Sequence, residues 1–387
     1  MQTANPIDLG FSPKALDRII TTIVKDVAQQ RYDSAVVIVA RSGQVALHEA
    51  IGFADRVSNR LARPDDVFCL FSVTKTLTAA AVLQLIDHGQ LALTTKVAEV
   101  IPEFGCKGKQ RVTVAHLLTH TGGMSAGFPP VPPELTGNLE AVVAAVCQQG
   151  LEAIPGQEVS YSPITAHAIL GEIVRRLDGG ARSLREIFAA EIFRPLGMMD
   201  TALGLRNDLA PRRVPVVVRD RSEGMFPPDT LESFNVTLKE DTEIPGGGAV
   251  STAADIFRFA EMLRQGGELD GVRILSPAII ELATANHTGL KPNSLWHYAR
   301  ELRGWDEFPA YLGLSFFLRG EGIFPTYFGT MASPGTFGGI GAGSTMFWVD
   351  PERDLTFVCL TAGLLEESHS LDRFQRLSDL VHAAVID

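Results

Sequence analysis

Phe71-Ser72-Val73-Thr74-Lys75 opens an apolar stretch that continues to Leu91, and its spacing sets the reading of the chain. A serine and a lysine three apart share one face once the backbone turns helical. Unpaired N–H groups and the positive end of the helix dipole favour negative charge at such a first turn. An alkoxide on Ser72 would be stabilised there. Lys75, shielded from water, would hold or take up the proton, which activates a nucleophile without a histidine. The competing reading is a helix N-cap with a solvated lysine one turn on. Leu77, Ala80, Ala81, Leu83, Leu85 and Ile86 fall nearly all round the expected helix, as in one buried in a core, and Gly89 supplies its stop. A lysine at the buried start of such a helix is costly without a task or a partner.

At 387 residues the chain exceeds what one core usually supports, so two packed subdomains are expected. Hydrophobic content of 45% and charged content of 20% describe a folded globular protein. A net charge of −11 without a basic stretch argues against nucleic acid or an anionic membrane as partner. No apolar run reaches membrane-spanning length. Met1-Gln2-Thr3-Ala4-Asn5-Pro6 lacks the charged and apolar regions of a secretory signal, so the expected location is cytoplasmic. Cys69, Cys106, Cys147 and Cys359 have no metal-ligand spacing and read as reduced thiols. Oligomeric state is not legible.

Ser12-Pro13 opens an amphipathic helix with Leu16, Ile19, Ile20 and Ile23 on one face. Ala35 to Ala40 and Val45 to Ile51 form a β-hairpin joined by Ser42-Gly43. From about Pro102 to Ile244 the texture is mostly helical, clearest over Leu139 to Gln148 and Thr165 to Leu177. A stiff loop, Phe128-Pro129-Pro130-Val131-Pro132-Pro133, interrupts it as a candidate cleft wall. Beyond Pro245 come a helix through Leu263, strands at Ser344 to Val349 and Leu355 to Leu360, and a last helix over Leu371 to Val385. This order predicts an α+β fold: one sheet built from both termini, with a helical insertion between.

Ser72-Val73-Thr74-Lys75, Val112 to Gly123, Tyr161-Ser162, Pro195 to Thr201, Gly247 to Asp255 and the run Gly338 to Asp350 together resemble the serine β-lactamase-like hydrolases. That group includes class C β-lactamases, D-alanyl-D-alanine carboxypeptidases, family VIII esterases and related acyltransferases. The resemblance implies the β-lactamase/transpeptidase-like fold, an antiparallel sheet flanked by helices. Residues 1–100 and 245–387 would form the subdomain with the nucleophile helix and C-terminal strands. Residues 101–244 would form a mainly helical subdomain carrying the Tyr161 loop. It also implies a serine acyl-enzyme, with Ser72 as nucleophile and Lys75 and Tyr161 sharing its proton. A neighbouring ammonium would favour the Tyr161 phenolate, and the two groups would titrate as a pair. The bland reading of Tyr161 is a buried tyrosine donating one hydrogen bond.

The third family element normally carries K-T-G or H/W-G-G on a strand. Gly339-Ile340-Gly341 stands in that place, so the usual side chain is absent at Gly339. The backbone would still serve, with the N–H groups of Ser72 and Ala342 facing the developing oxyanion. Gly339, Ile340, Gly341, Ser162 and Phe128 are the candidate substrate-binding residues. A second departure is Pro163, where the family's Y-x-N asparagine would stand; proline has no side-chain donor or acceptor. Both losses favour an esterase or acyltransferase on small, fairly apolar ester or thioester substrates. A β-lactamase, D-amino-acid peptidase or linear-amide hydrolase is the nearest alternative, and a non-catalytic ligand binder is the third. No cofactor or metal is expected.

Gly123-Met124-Ser125-Ala126-Gly127 matches G-x-S-x-G, but the proline-rich loop follows where that elbow needs a helix, so Ser125 is a loop serine. His116 and His120 have i, i+4 spacing, yet no glutamate or third ligand completes a zinc site.

Overall fold

The computed structural model describes residues 1–386. Its framework is a seven-stranded antiparallel sheet. β1 (Ser34–Arg41) and β2 (Gln44–Asp55) form the N-terminal hairpin, followed by the short β3 (Arg60–Leu61). β4 (Phe317–Leu318), β5 (Phe337–Gly341), β6 (Thr345–Asp350) and β7 (Leu355–Ala362) come from the C-terminal part. The order across the sheet is β3-β2-β1-β7-β6-β5-β4. β1 pairs with β7 from Ser34↔Ala362 to Arg41↔Leu355, so the two ends of the chain meet in the middle of one sheet. Ser42 and Gly43, both at positive φ, make the two-residue turn between β1 and β2, whose twist matches that of the strands.

β1 reads Ser-Ala-Val-Val-Ile-Val-Ala-Arg without polar alternation because both of its faces are covered. Ala35, Val37 and Val39 pack into the layer of α1 (Pro13–Ala28) and the C-terminal helix. Val36, Ile38 and Ala40 face the larger core that holds α2 (Thr74–Asp87). Against α2 lies α3 (Thr165–Leu177), and over β6 and β7 lies α4 (Ala253–Arg264). The closing helix α5 is Glu367–His382, one turn earlier than the expected Leu371 start. Glu366 causes that shift by accepting from the Ser368 and His369 N–H groups as an N-cap.

Two departures matter for the site. Ser72 does not sit in the first turn of α2 but in a 3₁₀ turn, Phe71–Val73, ahead of it. Phe71 has φ +47°, a left-handed conformation that redirects the backbone before the helix begins. Then, on β5, Gly339 pairs with Phe347 and shares its face. A Cβ at Gly339 would lie 2.9 Å from both Phe347 Cε1 and Thr76 Cγ2, so the position is filled by neighbours. Gly339→Lys is therefore expected to lower stability by about 1–3 kcal/mol, the usual cost of overpacking. A thermal unfolding midpoint equal to wild type would contradict this packing.

Candidate active site

Lys75 projects from the first turn of α2 into a buried space between two loops. Its Nζ lies 3.0 Å from Ser72 Oγ, 2.8 Å from the Pro163 carbonyl oxygen and 2.6 Å from that of Gly246. Burial lowers its pKa to about 7. The two carbonyls can only accept, so two N–H bonds must point at them. The third direction faces Ser72. A neutral amine has its lone pair there and can accept the Ser72 proton, whereas an ammonium would donate to Oγ. Burial thus turns a donor into a base near neutral pH.

Tyr161 is buried beside them, with Lys75 Nζ 5.1 Å from its ring centre. Burial pushes its phenol up, and a polar contact with Ser72 offsets only part of that. The electrostatics therefore oppose the expected phenolate: the amine that would have stabilised it is itself only partly charged near neutral pH. Against the other side of Tyr161 packs His120, ring centres 4.6 Å apart, followed by His167 at 5.4 Å from His120. The Ser162 N–H donates to His120 Nδ1 at 3.3 Å, with Ser162 Oγ at 3.2 Å, which fixes the His120 proton on Nε2. Burial, reinforced by Lys75, drives His120 down to about 3, and His167 falls well below its usual range. Both rings are neutral walls. His116, in contrast, closes a capping box with Thr113, so the two histidines of the i, i+4 pair have separate duties.

Ser72, Tyr161, Ile340, Ala342 and Gly343 line one narrow cleft of ≈20 Å³, closed by Phe226, Leu295, Trp296, Phe317 and Tyr327. Ala342 has φ +41° in the turn between β5 and β6. Among the described residues, neither the Ser72 nor the Ala342 N–H has a hydrogen-bond acceptor. Of the five candidate substrate-binding residues, only Ile340 lines this cleft. Gly339 and Gly341 face the α2 side, where Thr76 and the Leu70 carbonyl occupy the space. Ser162 is buried and engaged with His120, and Phe128 lies exposed on its loop. Ser125 is a loop residue whose Oγ accepts from the Gly127 N–H.

One lining residue was not anticipated. Glu367, at the start of α5, opens onto the same cleft. Its Oε1 accepts from the Met225 N–H at 3.1 Å, while Oε2 is buried without a partner. Burial, with Glu366 adding to it, raises its carboxyl to about 7.

The profile of the β-lactamase family matches residues 16–380. Esterase EstB of Burkholderia gladioli is 30% identical over 302 residues, covering 68% of this chain and 72% of that one. An uncharacterized Mycobacterium tuberculosis protein is 31% identical over 274 residues, covering 64% of this chain and 66% of its own length. A penicillin-binding protein homolog from Caulobacter crescentus superposes with a TM-score of 0.80 at 26% identity, over 97% and 99% of the two chains. The chain belongs to the β-lactamase family of serine hydrolases.

The Lys75 geometry carries a stability signature. Unfolded, the amine titrates near ~10.4; folded, it titrates near 7. Between those values the unfolded chain binds the extra proton, so this residue makes the fold more stable as pH rises. Relative to Lys75→Met, the wild type should gain stability from pH 7 to 10. A difference in denaturation midpoint that is flat over that window contradicts the assignment.

Proposed function

We propose that this member of the β-lactamase family is a cofactor-independent esterase or acyltransferase that forms an acyl-enzyme on Ser72. The observation that carries this reading is the Lys75 amine, pinned by the Pro163 and Gly246 carbonyls with its remaining direction on Ser72 Oγ. Neutral Lys75 takes the Ser72 proton as Oγ attacks the acyl carbon. The Ser72 and Ala342 N–H groups, without other acceptors, receive the oxyanion. Tyr161, kept protonated by burial, donates to the departing alkoxide and is reprotonated from Lys75. Water, or an acceptor alcohol in acyl transfer, then attacks the acyl-enzyme; neutral Lys75 takes its proton and returns it to Ser72 Oγ as the bond between the acyl carbon and Oγ breaks.

The cleft argues for neutral, apolar substrates. Phe226, Leu295, Trp296, Phe317 and Ile340 offer hydrocarbon, and Glu367 is the acid among the lining residues. A carboxylate substrate would meet that acid, whose ionisation near 7 makes the encounter repulsive. Among the described residues, no lining cation compensates. That arrangement disfavours a carboxylated β-lactam or peptide.

With p-nitrophenyl butyrate, kcat/KM should rise with pH through about 7 as Lys75 deprotonates. Ser72→Ala should lower it about 10³-fold or more, and Ser125→Ala should leave it intact. Intact mass after a brief reaction should carry one acyl group, mapped to the Ser72 peptide. Faster turnover of nitrocefin or a D-alanyl anilide would replace the ester reading with the amide one. Absence of both turnover and fluorophosphonate labelling would leave a ligand binder.

Glu367→Gln separates the charge argument from general damage. It should raise kcat/KM for p-nitrophenyl hemisuccinate by about tenfold relative to the butyrate, one decade corresponding to ~1.4 kcal/mol of removed repulsion. An unchanged ratio between the two esters would remove Glu367 from substrate selection.

A further inference from the structure

A second and much larger cavity, ≈720 Å³, is lined by Arg31, Arg219, Arg221, Arg303, Arg373 and Arg376 against three aspartates. The aspartates are already engaged. Asp26 is held by Arg31 and Arg376, Asp372 by Arg303, and Asp220 by His369. Arg373 is different. It is 3% exposed, and among the described residues no carboxylate lies within ion-pairing distance of it. Its Nη2 donates to the Gly343 carbonyl, while Nε and Nη1 have no partner. The guanidinium lies over the Tyr32 ring at 4.7 Å, an attraction that leaves those two N–H directions unused. Arg376 Nε is likewise buried and unpartnered, although its other end pairs with Asp26.

A buried guanidinium with free donors and no counter-charge is costly unless something satisfies it. Structural clamping of Gly343 needs one of its nitrogens, not three. The volume falls within the ~300–1,000 Å³ of small-molecule sites and exceeds what one inorganic ion fills. Guanidinium forks match phosphate and carboxylate oxygens in pairs.

We propose that this cavity binds a small organic polyanion, with Arg373 taking its phosphate or carboxylate groups in the depth and Arg376, Arg31 and Arg221 nearer the mouth. Arg31 and Arg221 are about half exposed, which suits the entrance. The site is joined to the Ser72 cleft by one bond. Arg373 and Ser370 both donate to the Gly343 carbonyl, and Gly343 follows Ala342 in the turn that lines that cleft. An anion on Nε and Nη1 therefore alters how firmly that turn is held, and with it the Ala342 N–H.

Calorimetric titration of the full chain at 150 mM salt with pyrophosphate, and separately with citrate, tests the site. Saturable binding is expected, about tenfold weaker in Arg31→Ala/Arg221→Ala and lost in Arg373→Met. Preference for pyrophosphate identifies a phosphorylated ligand, and preference for citrate a carboxylated one. No binding of either at millimolar concentration, or equal affinity in the double variant, overturns the proposal. So does saturable binding of Mg²⁺ or Zn²⁺ in place of the anions, which would assign the Asp220, Glu366 and His369 cluster at the cavity's edge instead. The link to the cleft rests on the hydrolase reading and has its own measurement. Anion should change ester kcat/KM at least about threefold in wild type, and in the double variant the same change should require about tenfold more anion. Unchanged wild-type turnover with the anion bound removes the link. Calorimetry does not involve Ser72, so the two failures are distinguishable.

Discussion

The Lys75 amine is held by two carbonyl oxygens that belong to different loops, and the site is assembled around that constraint. Pro163 lies ahead of α3 and Gly246 ahead of α4, so one side chain ties the start of α2 to both. Removal from water costs the ammonium its hydration, and only partial compensation comes from neutral carbonyls. The lowered pKa is the consequence of that arrangement, not an independent property. Pro163 illustrates how a side-chain reading can miss the chemistry. Its ring can contact nothing through a polar group, yet its carbonyl orients the proposed base, which any residue with that backbone course would do.

Backbone strain completes the arrangement. Phe71 at φ +47° precedes the Ser72 N–H, and Ala342 itself sits at φ +41°. Each conformation costs roughly 1–3 kcal/mol for a non-glycine residue. The Phe71 conformation persists because neighbours over-determine the Leu70–Phe71 backbone. The Phe71 ring packs on Phe234 at 5.2 Å, the Leu70 N–H donates to Ala249, and Thr345 Oγ1 donates to the Leu70 carbonyl. Left-handed residues turn successive N–H groups towards one point, which is how a backbone concavity receives an anion. Ser72 lies in a 3₁₀ turn, so its N–H remains outside the hydrogen-bond ladder of α2 and is free for the proposed oxyanion role.

The sequence made the long elements and the Ser72–Lys75 pair legible, because their signals are local. Leu139–Gln148 and Thr165–Leu177 are helices with the expected ends. The Ser42-Gly43 hairpin also lies where turn chemistry put it. Side-chain direction on β5 was not legible. Phe337-Gly338-Gly339-Ile340-Gly341 offers no polar alternation, and a one-residue shift exchanges the two faces of a strand. Ile340 consequently lines the cleft while both flanking glycines face inward. Phe71 was invisible for a related reason, since a bulky residue carries no signal for positive φ. Glu367 hid within an ordinary pattern: acidic residues at a helix start usually serve the cap and the dipole, as Glu366 does here.

The glycine at 339 does not enlarge the cleft, since Phe347 and Thr76 occupy the space a side chain would need. What the cleft lacks in cations it carries as acid, through Glu367. The arginines gather instead around the larger cavity, and Arg373 is shared by that cavity and the Gly343 carbonyl. On the proposed reading, negative charge is disfavoured where Ser72 lies and favoured on the far side of the Gly343 carbonyl. Such a separation follows from where two adjacent stretches place their side chains. Leu365, His369, Asp372 and Arg373 line the arginine side, while Glu367 lines the other. The first two turns of α5 therefore set the charge preference of both spaces. Any change in its register would alter the two together, because a helix presents successive faces at fixed angles and cannot move one without the other.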